Sequence, residues 1–229
     1  DNISDGATTT VSGWQGLPLG ADGFLTLSAE YCDRANTNRS DIDRRVTPNR
    51  ITSRFGDADV EDVSFYANAG KPLGDVWSAY GWFGAQQRDA SSAATYRLPT
   101  DASQNVPAVY PNGNIPKLAT DTTDVSAAVG LRGQIAGFNA DLNVVYGKND
   151  INFGVRDTIN PSYGAASQTS FQAGGLEYSQ TVFTADFSRG LDLGLAGPLN
   201  LAFGLQARTE NFEINRGEPT SNNRGPITT

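Results

Sequence analysis

The stretch "LTLSAEYCDRANTNRSDIDRR", Leu25–Arg45, begins as an alternating strand and ends as a polar segment with no period. In its first half apolar residues occupy every second position: Leu25, Leu27, Ala29 and Tyr31. From Asp33 onward Asn, Arg and Asp dominate. A period of two residues is typical of a β-strand with one apolar face, and the abrupt change predicts that the strand opens into a long polar loop.

The same alternation recurs along the chain, while helical periodicity is nearly absent. It predicts about eight strands, at Thr8–Leu17, Gly23–Cys32, Val60–Ala69, Asp75–Arg88, Asp124–Arg132, Phe138–Asn149, Tyr178–Ser188 and Leu199–Glu210. Each strand has an apolar face and a polar face, because successive side chains of a strand point to opposite sides.

The connections between these strands alternate in length. Short turns rich in Gly and Pro are expected at Pro18–Gly23, Lys71–Gly74, Gly133–Gly137 and Gly190–Gly197. Long segments are expected at Asp33–Asp59, Ala90–Thr123 and Gly154–Glu177, with a tail from about Asn215. Short periplasmic turns and long extracellular loops are the pattern of a transmembrane β-barrel, whose strands need only about 9–11 residues to cross.

A soluble β-sandwich also alternates, so three details favour the barrel. The polar faces carry Asn, Asp and Gln, and the apolar faces are modest, with much Ala, Leu and Val. Aromatic residues near strand ends suggest membrane girdles: Trp14, Phe24, Trp77 and Phe138 by the short turns, and Tyr31 and Tyr146 toward the long loops. The sequence therefore predicts an all-β fold, an antiparallel transmembrane β-barrel segment of about eight strands.

The barrel predicts which side chains meet lipid and which meet the wet interior. Those expected to point to lipid are Phe65, Leu142, Phe183, Phe187, Leu201 and Phe203. Those expected to point to the interior are Asp62, Asn143, Asp186, Gln206 and Arg208. A slip of one residue would exchange the two sets, so the register should be firmly set.

Composition narrows the function. The net charge of −8 argues against a nucleic-acid partner, which wants a basic face. With no His and one Cys, Cys32, the chain lacks the usual general base and any internal disulfide. No catalytic motif is present, so no enzyme activity, catalytic residue or cofactor is expected. Acidic segments at 33–43 and 57–61 do not match a calcium loop, and no metal site is expected.

Three phrases carry a family resemblance. They are "GLPLGADGFLTLSAEYCDRANTNRS" (16–40), "DINFGVRDTINPSYGAASQTSFQAGGLEYSQ" (150–180) and "GPLNLAFGLQARTENFEINRGEP" (197–219). In this order and at these strand and loop positions, they resemble the barrel of TonB-dependent outer-membrane receptors. The resemblance runs from about Thr10 to Pro219. The family's plug domain, energy-coupling box and terminal aromatic strand have no counterpart, so residues 1–229 are expected to be one partial barrel domain.

The resemblance implies a place in the Gram-negative outer membrane and part of a receptor for a scarce nutrient, such as a metal chelate, a cobalamin-like molecule or an oligosaccharide. The implied partners are outer-membrane lipid, the remaining barrel and plug, and the energy-coupling complex of the inner membrane. Two alternatives stay open: a self-contained eight-stranded structural or adhesive barrel, and a secreted soluble β-protein with an assembly role.

The candidate ligand-binding residues lie in the segment "YPNGNIPKL", Tyr110–Leu118. Tyr110, Asn112 and Asn114 combine an aromatic ring, two amides and a tight Asn-Gly turn. Such a surface can contact a ligand, although long surface loops often share this composition.

Overall fold

The computed structural model describes residues 5–227 as one eight-stranded antiparallel sheet. The strands are β1 Thr8–Pro18, β2 Phe24–Arg34, β3 Asp59–Leu73, β4 Trp77–Ala93, β5 Lys117–Ile135, β6 Phe138–Arg156, β7 Ser170–Leu191 and β8 Leu199–Arg216. A 3-10 helix, Pro161–Ala166, precedes β7, and a single-turn helix α1, Pro219–Asn222, follows β8. The predicted all-β antiparallel class and the number of strands are confirmed.

Each strand pairs only with its neighbours in sequence, in the order β1 to β8. Within residues 5–227, β1 and β8 do not pair with each other, and both are exposed along their whole length. The sheet is therefore an open wall with two free edges. In the described part of the chain no helix is long and apolar enough to cross a membrane.

The short connections all lie at one end of the sheet, which we call the turn end. The tightest joins β5 to β6 through Ala136 and Gly137, whose φ angles are 50° and 80°. Positive φ at both central residues is the geometry of a two-residue type I′ hairpin, which matches the twist of the flanking strands.

The long connections lie at the opposite end, the loop end. They are loop 1 (35–58), loop 2 (94–116), loop 3 (157–169) and the tail (217–227). Loops 2 and 3 are shorter than predicted because β4 to β7 continue beyond their alternating portions. In β5 the stretch Lys117–Thr123 carries polar residues on both faces and gives no period in the sequence, yet its backbone pairs with β4 and β6.

The strand register confirms the two predicted faces. Leu142 pairs with Ala185 and Phe187 with Phe203, on one face; Asp141 pairs with Asp186 and Asn143 with Thr184, on the other. We call these the apolar face and the polar face. All residues of the predicted lipid-facing set share the apolar face, and all residues of the predicted interior-facing set share the polar face.

No second layer covers the apolar face in the described chain. Large side chains in the middle of the sheet stay exposed there, including Val129 at 64% and Phe183 at 45%. The larger buried apolar side chains lie instead mainly among the loops and the loop-end strand segments, and include Val46, Tyr96, Ile159 and Phe171. A soluble β-sandwich would bury this face against another sheet, and residues 5–227 form no second sheet.

Candidate functional site

The apolar face carries a band that crosses the sheet diagonally. In β2 the apolar band extends toward the loop end as far as Tyr31. The residues paired with Tyr31 from strand to strand across the sheet, which we call its register row, include Asp150 in β6 and Glu177 in β7. At that row the face is therefore apolar in β2 and charged in β6 and β7. In β8 the apolar residues Leu199–Leu205 lie near the turn end instead. The band therefore descends by several residues from β1 to β8. Strands that tilt and stagger around a barrel produce this offset when one flat layer of lipid meets them all.

The polar face is held by hydrogen-bonded clusters that cross several strands. Asp62, only 8% exposed, accepts hydrogen bonds from Gln86 Nε2 at 2.8 Å and from Arg88 Nε at 2.6 Å. Charge-assisted hydrogen bonds of this kind are about twice as strong as neutral ones. They fix the carboxylate within the wall.

A second cluster lies nearer the turn end. Asp141 accepts from Tyr80 Oη at 2.6 Å and from Arg132 Nε at 2.8 Å, and the Arg132 guanidinium lies 4.2 Å from the centre of the Tyr80 ring. Together the two clusters give the polar face a rigid and water-compatible lining.

Aromatic rings on both faces lie over glycines of the neighbouring strand. Tyr80 pairs directly with Gly130, and a Cβ at that glycine would overlap the ring. Phe24 covers Gly70 in the same way. Phe24 and Trp14 thus lie on the polar face, not in the girdle predicted for them, because their register partners Gly70 and Ser28 belong to that face. A ring that lies over a glycine occupies the space that a side chain would fill and stabilises the pairing of the two strands.

Loops 1 and 2 are joined by an arginine. Arg50 of loop 1 donates to the Tyr96 hydroxyl at 3.2 Å and to the Asn112 carbonyl at 2.9 Å. Tyr96 Oη itself donates to that carbonyl. Tyr96 is 8% exposed, so this contact is well packed and holds the two loops together.

Loops 2 and 3 are joined by an asparagine. Asn114 Nδ2 donates to the Asp157 carbonyl at 2.6 Å, and Lys117 pairs with the Asp157 carboxylate at 2.8 Å. The left-handed backbone of Asp157, with φ 53°, places both groups at the start of loop 3.

Loop 3 and the tail are joined by several hydrogen bonds. Asn160 Nδ2 donates to the carbonyls of Thr220 at 3.1 Å and Asn223 at 3.0 Å, while Gly225 N donates to Ser162 Oγ at 2.8 Å. These residues fall in or near the second and third phrases of the family resemblance. The phrases "NPSYG" and "GEP" therefore encode, at least in part, a contact between two segments distant in sequence.

The carboxylate of Glu218, within "GEP", completes this contact. It accepts from Gln172 N at 2.9 Å and from Gln168 Nε2 at 2.5 Å. Loops 1, 2, 3 and the tail are thus linked in series into one surface, which we call the loop surface.

The predicted ligand-binding residues take different places on the loop surface. Asn112 is exposed, Tyr110 is half-buried, and Asn114 is 7% exposed with its amide used in the contact to loop 3. Burial, followed by the nearby Asp157, raises the pKa of Tyr110. Of the three, Asn112 and Tyr110 are accessible at the surface, and Asn114 positions the loop. Arg50 and Asn160 were missed because their partners are distant in sequence.

Asp43 of loop 1 and Asp5, which precedes β1, are bonded to side chains of loop 1. The hydrogen bond from Arg45, then that from Thr52, holds the pKa of Asp43 well below its usual range. The hydrogen bond from Arg39 likewise lowers the pKa of Asp5. Over residues 5–227, no group of three or more Cys, Asp or Glu side chains is placed to hold a metal ion.

This geometry defines a class: a segment of the wall of an outer-membrane-type β-barrel, with a lipid-compatible face and a linked loop surface. The likeness to a solved structure agrees with it. The sheet is similar to P. aeruginosa FpvA, a TonB-dependent receptor, in a structure bound to a heterologous pyoverdine with Fe. The TM-score is 0.51 at 13% identity, over 92% of this chain and 31% of that chain.

At this identity the likeness shows the fold alone, and the chain spans less than a third of the length of that receptor. No protein-family model matches the sequence, and no curated protein matches it.

Proposed function

We propose that this chain forms part of the barrel of a TonB-dependent receptor in the Gram-negative outer membrane, and that the receptor takes up a scarce nutrient. The diagonal apolar band supports this most directly. The band does not follow the register rows of the sheet. In a barrel with tilted strands, an apolar band with this offset lies at one height along the barrel axis, as contact with a flat lipid layer requires. The fold of the FpvA structure supports the same assignment.

In this proposal the two sheet edges pair with further strands of the receptor. Unpaired backbone groups cannot remain in hydrocarbon, because each would cost several kcal/mol. The polar face lines the interior, where a plug domain would dock, and the loop surface meets the nutrient outside. The energy-coupling complex would act through parts of the receptor other than this wall. The wall itself is assigned no catalytic role.

The closed eight-stranded barrel is the weaker alternative, because it requires β1 to pair with β8 and no such pair exists in residues 5–227. The secreted soluble protein would leave exposed apolar groups such as Phe203, at 53%, in water. If the detergent-folded chain resists heat and migrates anomalously on a gel until it is boiled, the closed barrel is favoured. If the chain is soluble without detergent, the secreted protein is favoured.

The test of the lipid-facing assignment uses two neighbouring residues. Val144 lies on the apolar face and Asn143 on the polar face, at one depth in β6. In bilayers, a nitroxide at position 144 should be accessible to oxygen and shielded from polar relaxation agents, and a label at position 143 should behave in the opposite way. If both labels respond alike, or if the pattern is reversed, the membrane assignment is wrong.

A further inference from the structure

The polar face of β1 to β3 carries two aromatic side chains in a single register row. Trp14 pairs with Ser28, and Ser28 pairs with Tyr66. Trp14 is 78% exposed and Tyr66 is 43% exposed, although both lie on the polar face. Trp82 stacks on Tyr66 with ring centres 6.2 Å apart and planes at 25°. Tyr66 is thus supported by a neighbour, and Trp14 stands across Ser28 from it.

The spacing of these residues forms a slot for a flat ring. β1 and β3 are separated by two strand spacings, about 9.5 Å, and side chains stand roughly perpendicular to the sheet. A ring in van der Waals contact on both sides needs about 7–8 Å between the flanking groups. Ser28 is small enough to leave the floor open. A groove of about 550 Å³ follows this row.

The next register row supplies polar groups beside the slot. Ser12 pairs with Glu30, and Glu30 pairs with Ser64. In the described residues none of these three side chains makes a hydrogen bond or an ion pair to protein. They can therefore bond to a ligand without losing an existing partner.

The charge of the groove selects among flat ligands. No Lys or Arg lines it, and its one charged side chain is the carboxylate of Glu30. An anionic ring would be repelled, because like charges close together are unfavourable. A neutral ring with many hydroxyl groups can contact an aromatic face and also bond to the serines and the carboxylate. This combination describes a sugar.

We propose that the groove formed by Ser12, Trp14, Ser28, Glu30, Ser64 and Tyr66 is a binding site for a neutral saccharide. It rests on the proposed function in one respect: the part of the interior wall formed by β1 to β3 must stay open to water beside the docked plug domain. It would narrow the nutrient to an oligosaccharide, or to a molecule that carries sugar rings.

The experiment titrates the full-length receptor that contains this chain, folded in detergent, with maltohexaose, cellohexaose and N-acetylchitohexaose by isothermal calorimetry, together with tryptophan emission. At least one sugar should bind saturably and shift the emission of the wild-type chain. Trp14→Ala and Tyr66→Ala should each weaken binding about tenfold, since one aromatic contact contributes up to about 1.5 kcal/mol. Glu30→Gln should weaken it less.

Matched variants keep the test independent of folding. Trp14→Phe retains a flat ring and should retain most of the affinity. Trp77→Phe alters a tryptophan whose ring lies over Gly133, on the apolar face, and should leave the affinity unchanged.

Two outcomes would overturn the proposal: none of the three sugars binds, or a sugar binds equally well to Trp14→Ala and Tyr66→Ala. Both leave the nitroxide result at positions 143 and 144 untouched, so failure of the sugar site and failure of the membrane assignment are distinguishable.

Discussion

Replacing Val129 by arginine tests the lipid-facing band directly. Val129 lies mid-band in β5, with Gly81 and Val144 as its register partners, and is 64% exposed. On a water-exposed surface such a substitution would change stability by less than about 0.5 kcal/mol. At a bilayer midplane an Arg costs about 2–4 kcal/mol.

Val63 provides the matched control. It is also a valine on the apolar face, 51% exposed, but it lies at the loop end of the band beside Tyr31 and Gln87. Near the interface an Arg costs only about 0–1 kcal/mol. Val129→Arg should therefore destabilise the chain by about 2–3 kcal/mol more than Val63→Arg, or roughly 30- to 150-fold in the unfolding constant.

The assay is reversible urea unfolding of the full-length receptor that contains this chain, in phosphatidylcholine vesicles, followed by tryptophan emission. Wild type, Val129→Arg and Val63→Arg are compared at one lipid ratio. If the two variants agree within about 0.5 kcal/mol, the apolar face does not meet lipid and the reasoning from the diagonal band fails.

Three further changes should separate the other features, each by its own measurement. Gly130→Ala should lower the urea midpoint and reduce the free energy of unfolding by about 1–3 kcal/mol, because the new Cβ overlaps the tyrosine ring opposite. Gly147→Ala has nothing within 4 Å of its Cβ and should be neutral or stabilising. Equal effects of the two substitutions would contradict this. Asn114→Ala should speed proteolysis within loops 2 and 3, since it leaves a carbonyl without its partner at about 1–3 kcal/mol; Asn112→Ala, an exposed side chain, should not, and similar cleavage would refute the joining role. Because the pKa of Asp43 is lower in the folded than in the unfolded chain, its ionised carboxylate stabilises loop 1 at pH values above the unfolded pKa, near 3.9, and this contribution is lost as the pH falls toward the folded pKa. Hydrogen exchange of 35–58, corrected for intrinsic rates, should therefore rise below pH 4 in wild type. The same rise in Asp43→Asn would contradict the assignment.

Where one face of a strand is apolar, the alternation in the sequence was sufficient to predict both the strand and the orientation of its side chains. β6 was predicted at Phe138–Asn149 from its strict alternation, and the register places those residues on the expected faces. The loop-end portion of β5 was predicted as loop, because Thr and Asp occupy both faces and only pairing to neighbours makes it a strand. Local pattern carries no information about such pairing.

The loop surface was beyond sequence reasoning for a related reason. Arg50 and Asn112 are far apart in the chain, and so are Asn160 and Asn223, so no short pattern joins them. The family resemblance marked the phrases containing Asn160 and Glu218 without showing that they meet. Tyr110, Asn112 and Asn114 stay a prediction as a ligand-binding set.

The different lengths of the strands decide which part of the loop end projects furthest from the apolar band, and so which part a large particle contacts first. In β2 only Cys32–Arg34 extend beyond the band at the loop end, whereas in β7 the stretch from Ser170 to Gln180 does so, a length of about 37 Å at 3.4 Å per residue. With the membrane level, the rim climbs steeply from β1 toward β8. In the proposed membrane orientation, antibodies and phage, too bulky to enter the interior, would meet loop 3 and the tail first. The part of the loop surface that is joined through Asn160 and Glu218 would therefore also be the part that a large particle contacts first.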